Sequence, residues 1–361
     1  MHNTWADRRG WSLILWLVAQ VALAADLPVW TWGGETMGSK YRISVVAPPE
    51  GAAVRERVQQ EVAERLREIN RQMSHYLPES ELSQFNRAPA GKLVPVSPEL
   101  ATVIRFAVRV GRESGGAFDL TLAPLINLWG FGEQGPALAL PSEEAIAAAR
   151  ALVDWRAVEV TTANALRKTR EGLSLNLSGL AKGYAVDEIW RVLQRHGLTN
   201  VYVSIAGEIR VSGHSPRGGS WKIGISAPLE LWREHDPMAA MVELRQGAVS
   251  TSGDYQKFVY DAQGRRLSHI LDPRTGRPVQ HALGSVTVVA PEGMQADALS
   301  TTLFVLGVEE GLKFVEGWSD AAALFIVREA EGPHFKLVPS RRWARLTGGV
   351  GAALPETSPK E

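Results

Sequence analysis

The chain has 361 residues, 39 Lys and Arg against 39 Asp and Glu, 45% hydrophobic residues and no cysteine. That length and apolar content support a folded core without covalent staples and exclude disorder as the main state. Balanced charge argues against a general nucleic-acid binder, and the lack of cysteine removes disulfides, a thiolate nucleophile, Cys-ligated metals and a lipid-modified cysteine anchor.

Arg8 and Arg9 precede an apolar run from Trp11 to Ala25, and Ala22-Leu23-Ala24 has the small-x-small form preferred by signal peptidase. Residues 1–24 are therefore expected to be a signal peptide cleaved after Ala24. The run falls short of the ~20 residues of a membrane-spanning helix, which makes an uncleaved anchor the weaker alternative. Cleavage removes Arg8, Arg9 and Asp7, leaving 37 basic against 38 acidic residues. The arginine pair before Gly10 and Trp11 keeps both the Sec and twin-arginine routes open, with a periplasmic mature chain as the expectation.

Tyr41, Ile43 and Val45 alternate with polar residues, as in a half-buried strand. Val54, Val58, Val62, Leu66, Ile69 and Met73 recur every three or four residues, which predicts a helix with one apolar face. Ser97-Pro98 supplies an N-cap and a first-turn proline for a second helix, stopped by Gly115-Gly116. Further helices are predicted over 143–152 and over 179–196, the latter ended by Gly197, with a strand at Val158 and Val160 before it. The second half is strand-rich, at 201–205, 221–225, 241–244, 258–260 and 285–290, with a hairpin turn over 261–264. Two late helices and a strand over 321–327 close the fold, and 347–361 reads as a flexible tail. The fold class predicted is mixed α+β, with largely antiparallel sheets packed with helices.

Phosphate-loop, nucleophile-elbow and HExxH zinc motifs are missing, and Gly349-Val350-Gly351 lacks the third glycine of a dinucleotide fingerprint. Three local patterns carry chemistry. In Asn176 to Tyr184 a strand is expected to run into a helix through small residues, where free backbone N–H groups and Lys182 would meet an anion. Asp297 and Thr301 stand four apart, so both oxygens share one helical face and could hold a hard cation such as Mg²⁺. His269 precedes the turn sequence Asp272-Pro273-Arg274-Thr275-Gly276, on a strand leading into it, and suits proton transfer near neutrality. Each has a plainer alternative: a surface lysine in a tight turn, a helix-capping Asp with a packed Thr, and a structural histidine.

These patterns occur within a longer ordered series. Thr36-Met37-Gly38 comes first, then Met73-Ser74-His75-Tyr76 with Ser80-Glu81-Leu82-Ser83 and Asn86, then Gly115 to Asp119 with Pro124 and Leu128-Trp129-Gly130-Phe131. Gly179 to Asp187, Thr251 to Tyr255, His269 to Gly276 and Ala296 to Thr301 complete it. With this series the chain resembles the FAD:protein FMN transferase family, also called ApbE, and residues 25–346 would form its domain. The resemblance implies two intertwined α/β subdomains with FAD in the cleft between them. It implies an exported enzyme that uses FAD and Mg²⁺ to attach FMN covalently to a threonine or serine of an exported or membrane flavoprotein, releasing AMP. The acceptor would be a subunit of a respiratory membrane complex.

By the same resemblance Met37, Tyr76, Ala117, Phe118, Asp119, Asn176 and Ile270 would line the FAD site, with Lys182 near the pyrophosphate. The carbonyl of Gly179 and the side chains of Asp297 and Thr301 would hold Mg²⁺, and His269 would be the base for the acceptor hydroxyl. The sequence departs from the family pattern at Asn176 (usually Asp), Ser178 (usually Gly) and Ala206-Gly207-Glu208 (usually Gly-Gly-Asp). Two alternatives follow: an FAD pyrophosphatase yielding FMN and AMP, and a non-catalytic FAD-binding maturation partner of a membrane redox complex.

Overall fold

Eight strands form one antiparallel sheet whose spatial order is its chain order: β1 (Val29–Thr36), β2 (Ser39–Val46), β3 (Val201–Ile205), β4 (Glu208–Ser212), β5 (Gln246–Gly253), β6 (Leu283–Ala290), β7 (Ala322–Arg328) and β8 (Phe335–Pro339). The computed structural model describes residues 27–48, 52–132, 140–229, 238–255, 258–261, 264, 266–329 and 334–348. The expected signal peptide lies outside the described residues. Among these residues no helix is long and apolar enough to cross a membrane.

Long excursions between neighbouring strands build the rest. Residues 47–200, between β2 and β3, carry α1 (Ala52–Met73), α2 (Pro98–Glu113) and α3 (Ala181–Arg195); α4 (Gly293–Glu316) joins β6 to β7. The apolar stripe read from Val58 to Met73 is buried, and Ser97 caps α2 by accepting from Leu100 N–H at 3.2 Å, with Pro98 in the first turn. These helices pack on one face of the sheet against Ile43, Val203, Val286 and Phe325. The other face is covered by a hairpin, Trp221–Ser226 with Met238–Leu244, and by the buried Trp343. A third apolar cluster joins Leu125, Trp129, Phe131 and Ile146 to Leu267 and Leu271. Fully burying a side chain of this size contributes about 1.5–3 kcal/mol.

Three expectations are corrected. Residues 173–177 form no sheet ladder. Asn86 instead brackets Leu175, its Nδ2 donating to the Leu175 carbonyl (3.0 Å) and its Oδ1 accepting from the Leu175 N–H (2.7 Å), while Asn176 N–H donates to Leu120. The histidine at 269 follows a short strand, Arg266–Ser268, instead of lying on one. Thr347 is no tail residue: it is 1% exposed at the end of the helix Trp343–Thr347, where its hydroxyl donates to the Trp343 carbonyl, while residues 349–361 of the expected tail lie outside the described residues. The hairpin turn is as expected, with Gly264 N–H bonded to the Asp261 carbonyl and Tyr260 paired with Arg266.

Candidate active site

A cavity of about 290 Å³ lies between the helical insertion and the sheet. Its floor is made where α3 crosses α4. At this crossing a methyl on Gly183 would overlap the carbonyl oxygen of Gly293, and one on Gly293 would come within 2.5 Å of the Gly183 carbonyl oxygen. Glycine is what lets the two helix starts touch. Each start is then finished by the other helix. Asp187 of α3 accepts from the N–H groups of Gly293 (2.7 Å) and Met294 (2.9 Å), and Asp297 of α4 accepts from Gly183 N–H (2.9 Å). Neither helix has a side-chain cap of its own, so these remote carboxylates satisfy otherwise unpaired donors.

Three further groups complete the floor. Thr301 lies one turn beyond Asp297, and its hydroxyl is 3.3 Å from where a Gly179 Cβ would stand, so Gly179 and Thr301 lie close together and a side chain at 179 would press on Thr301. Lys182 Nζ sits 2.9 Å from Glu208 Oε1 and 3.8 Å from Asp297 Oδ2. Burial works against the Lys182 charge, but Asp297 and Glu208 outweigh it and hold its pKa above the ordinary lysine value. Burial pushes Glu208 up to about 7, with Lys182 opposing and Asp297 adding. Burial likewise raises Asp297 against the pull of Lys182 and the Gly183 N–H. Glu208 Oε2 is buried without a hydrogen-bond partner. Two carboxylates thus face one ammonium.

The mouth is built from loops. Ser80 caps the short helix Glu81–Arg87 by accepting from Ser83 N–H, and the Ser80 and Ser83 hydroxyls both donate to the Ser74 carbonyl. That fixes the turn bearing His75 and Tyr76, whose rings lie 4.0 Å apart, centroid to centroid. Tyr76 is 59% exposed at the rim. On the facing wall, Trp129 donates to the Gly276 carbonyl (2.9 Å) and so ties the Asp272–Gly276 turn to the Trp129-Gly130-Phe131 segment. His269 enters the cavity there, edge-on to Phe131 at 6.3 Å.

Of the residues singled out from sequence, Tyr76, Ala117, Phe118, Asp119, Asn176, Gly179, Lys182, His269, Ile270, Asp297 and Thr301 line this one cavity. Met37 does not. It occupies the β1–β2 turn at φ 51° and packs against the main core. Asp119 turns its carboxylate to Thr121 N–H (2.8 Å), Thr121 Oγ1 (2.6 Å) and Trp155 N–H (3.1 Å), so it shapes the wall. Asn176 accepts from Ser178 N–H (2.9 Å) and approaches His75 Nε2 (3.4 Å). His75, Leu122, Ile126, Phe131, Glu208, Ser252 and Val305 also line the cavity and were assigned no role from sequence. Glu208 had one available signal, its place in a segment noted as departing from the family pattern.

The family model described as the ApbE family matches residues 37–325. The FAD:protein FMN transferase of Vibrio cholerae is 38% identical over 299 residues, 83% of this chain and 87% of its own. That of Klebsiella pneumoniae is 34% identical over 302 residues, covering 83% and 84%. Among solved structures, the flavin transferase ApbE from Vibrio cholerae superposes with a TM-score of 0.80 at 35% identity, covering 89% of this chain and 99% of that one. The apo form of the Pseudomonas stutzeri flavinyl transferase ApbE gives 0.79 at 38% identity, covering 90% and 99%. A match spanning most of the chain in sequence, joined to the same mixed α+β architecture, assigns it: the chain belongs to the ApbE family and is a transferase.

Proposed function

We propose that the protein transfers FMN from FAD to a threonine or serine hydroxyl of an exported or membrane flavoprotein, releasing AMP with the help of Mg²⁺. One observation carries this reading. A cationic and acidic floor (Lys182, Asp297, Glu208) and a histidine (His269) line the same cavity, in a chain whose relatives are named FAD:protein FMN transferases.

The floor fits a hard divalent ion. Its donors would be oxygens, from Asp297, Thr301 and the Gly179 carbonyl, and Glu208 Oε2 beside them is buried without a hydrogen-bond partner. Bound there, Mg²⁺ would neutralise the pyrophosphate and stabilise charge on the departing phosphate. Lys182 brings a second positive charge to the same pyrophosphate. His269 takes the proton of the acceptor hydroxyl, whose oxygen bonds to the FMN phosphorus as the bond from that phosphorus to the bridging oxygen breaks. The bridging oxygen leaves with AMP. Tyr76 offers an exposed ring face to the flavin at the mouth, and Asn176 offers a neutral amide that both donates and accepts. The Arg8-Arg9 segment and the Ala22-Leu23-Ala24 sequence support an exported, periplasmic enzyme, and the acceptor class follows from that location.

The test incubates mature protein with FAD and Mg²⁺, with and without an acceptor protein carrying a threonine in a flavinylation sequence. AMP together with a fluorescent acceptor band on a denaturing gel is the expected result. AMP without a band would make the protein a pyrophosphatase, and neither product would make it a flavin-binding maturation partner. Intact mass of the periplasmic fraction should begin at Ala25.

A further inference from the structure

Asp297 and Glu208 compete for one ammonium, and Glu208 holds it. Lys182 Nζ is 2.9 Å from Glu208 Oε1 and 3.8 Å from Asp297 Oδ2, and it donates to the Ser178 carbonyl at 3.2 Å. Lys182 precedes Gly183, whose N–H is bonded to Asp297, so its side chain starts beside that carboxylate and has little distance to travel to it. Glu208 is fixed independently. It is the first residue of β4, paired with Ile205 across a tight turn whose two residues, Ala206 and Gly207, have φ of 54° and 102°. A non-glycine residue in the left-handed region is held there by its surroundings, so the backbone that carries Glu208 is placed by the sheet and not by Lys182.

Resting on the reading of Asp297 as part of a divalent-cation seat, we propose that Glu208 is a positioning residue. It keeps the Lys182 ammonium off Asp297, which leaves that carboxylate open to the divalent ion and the ammonium available to the substrate pyrophosphate. Without Glu208 the nearest anion for Lys182 is Asp297, and the lysine becomes an internal competitor of the metal. Glu208 therefore controls metal affinity without touching the metal.

Mn²⁺ binding to flavin-free mature protein, measured by the electron paramagnetic resonance of the free ion, separates this from a plain ligand role. Thermal unfolding identifies the variants that fold. Glu208→Gln, which keeps the shape, and Glu208→Ala should each weaken Mn²⁺ binding about tenfold or more, the scale on which supporting residues act on metal sites. Lys182→Ala alone should tighten it, and the Glu208→Ala/Lys182→Ala double variant should regain wild-type affinity. Undiminished binding in both folded Glu208 variants would overturn the proposal. So would a double variant as weak as Glu208→Ala, since Glu208 would then be a ligand itself. A folded wild-type protein that binds no Mn²⁺ would instead remove the cation seat at Asp297, and the proposal with it.

Discussion

The floor of the cavity is closed by two helices that complete each other, whereas its mouth is closed by loops that end on partly exposed rings. At the floor, Asp187 and Asp297 are 1% and 3% exposed, and Asp187 spends both carboxylate oxygens and Asp297 one on the opposite helix. At the mouth, Tyr76 is 59% exposed and is held through hydrogen bonds to backbone two or more residues away. The difference separates two tasks. Charge must be placed within a few tenths of an ångström to act on a phosphate, so it stands on rigid elements, while a face that admits a large ligand can stand on loops.

Changes at the floor should therefore cost both stability and function, and a change at the exposed rim, at Tyr76, should cost binding alone. The largest effect is expected of Gly183→Ala. Backbone meets backbone at the crossing, so the helices must separate, and the loss should be about 3 kcal/mol or more despite the ~1 kcal/mol that alanine gains in a helix. Urea unfolding measures it, and an unchanged midpoint would mean the crossing is looser than its geometry. Next comes Asp297→Asn, which keeps an acceptor for Gly183 N–H but removes the charge. At saturating Mg²⁺ its turnover should fall further than that of His269→Ala, because losing this charge disturbs the metal seat and Lys182 together, whereas losing a positioned base costs about 10²- to 10⁴-fold. A deader His269→Ala enzyme would reverse that ranking.

At the mouth, Tyr76→Ala should raise the dissociation constant for FAD about tenfold, the order of one lost ring contact, and leave the unfolding midpoint unmoved. Flavin fluorescence quenching reads the first and urea the second. The smallest effect is expected far from both regions, at Glu61, which bonds Arg195 (2.6 Å) and His196 (2.7 Å) and is 38% exposed. Hydrogen bonds from Arg195 and then His196 hold its carboxyl below the ordinary glutamate value. Its contribution is thus present above that value and is lost as pH falls through the depressed one. Glu61→Gln should cost under about 1 kcal/mol at neutral pH and nothing in strong acid.

Much of this was legible in the residues where the pattern is local. The three-to-four spacing from Val54 to Met73 and the Ser97-Pro98 start produced helices because periodicity and capping act over one or two turns. The i, i+4 pair of Asp297 and Thr301 was readable for the same reason. What escaped was set by distant chain. β5, Gln246–Gly253, is rich in Gly, Ser and Thr and lacks an apolar alternation, yet it is central because β4 and β6 flank it. Thr347 read as tail because the burial that orders it comes from packing of the last helix against β7 and the outer hairpin. Glu208 and Lys182 are 26 positions apart, and no spacing rule joins them; their meeting is a product of the β3–β4 turn.

The reciprocal capping of α3 and α4 also bears on how the chain reaches this state. Each helix start lacks its acceptor until residues more than one hundred positions away arrive, so neither end is finished by local nucleation. Loop closure over that separation must come first, which makes the proposed cation seat a late product of folding. Binding competence then reports on completion of the whole chain, and a refolding experiment followed by Mn²⁺ uptake should lag behind the recovery of helical signal.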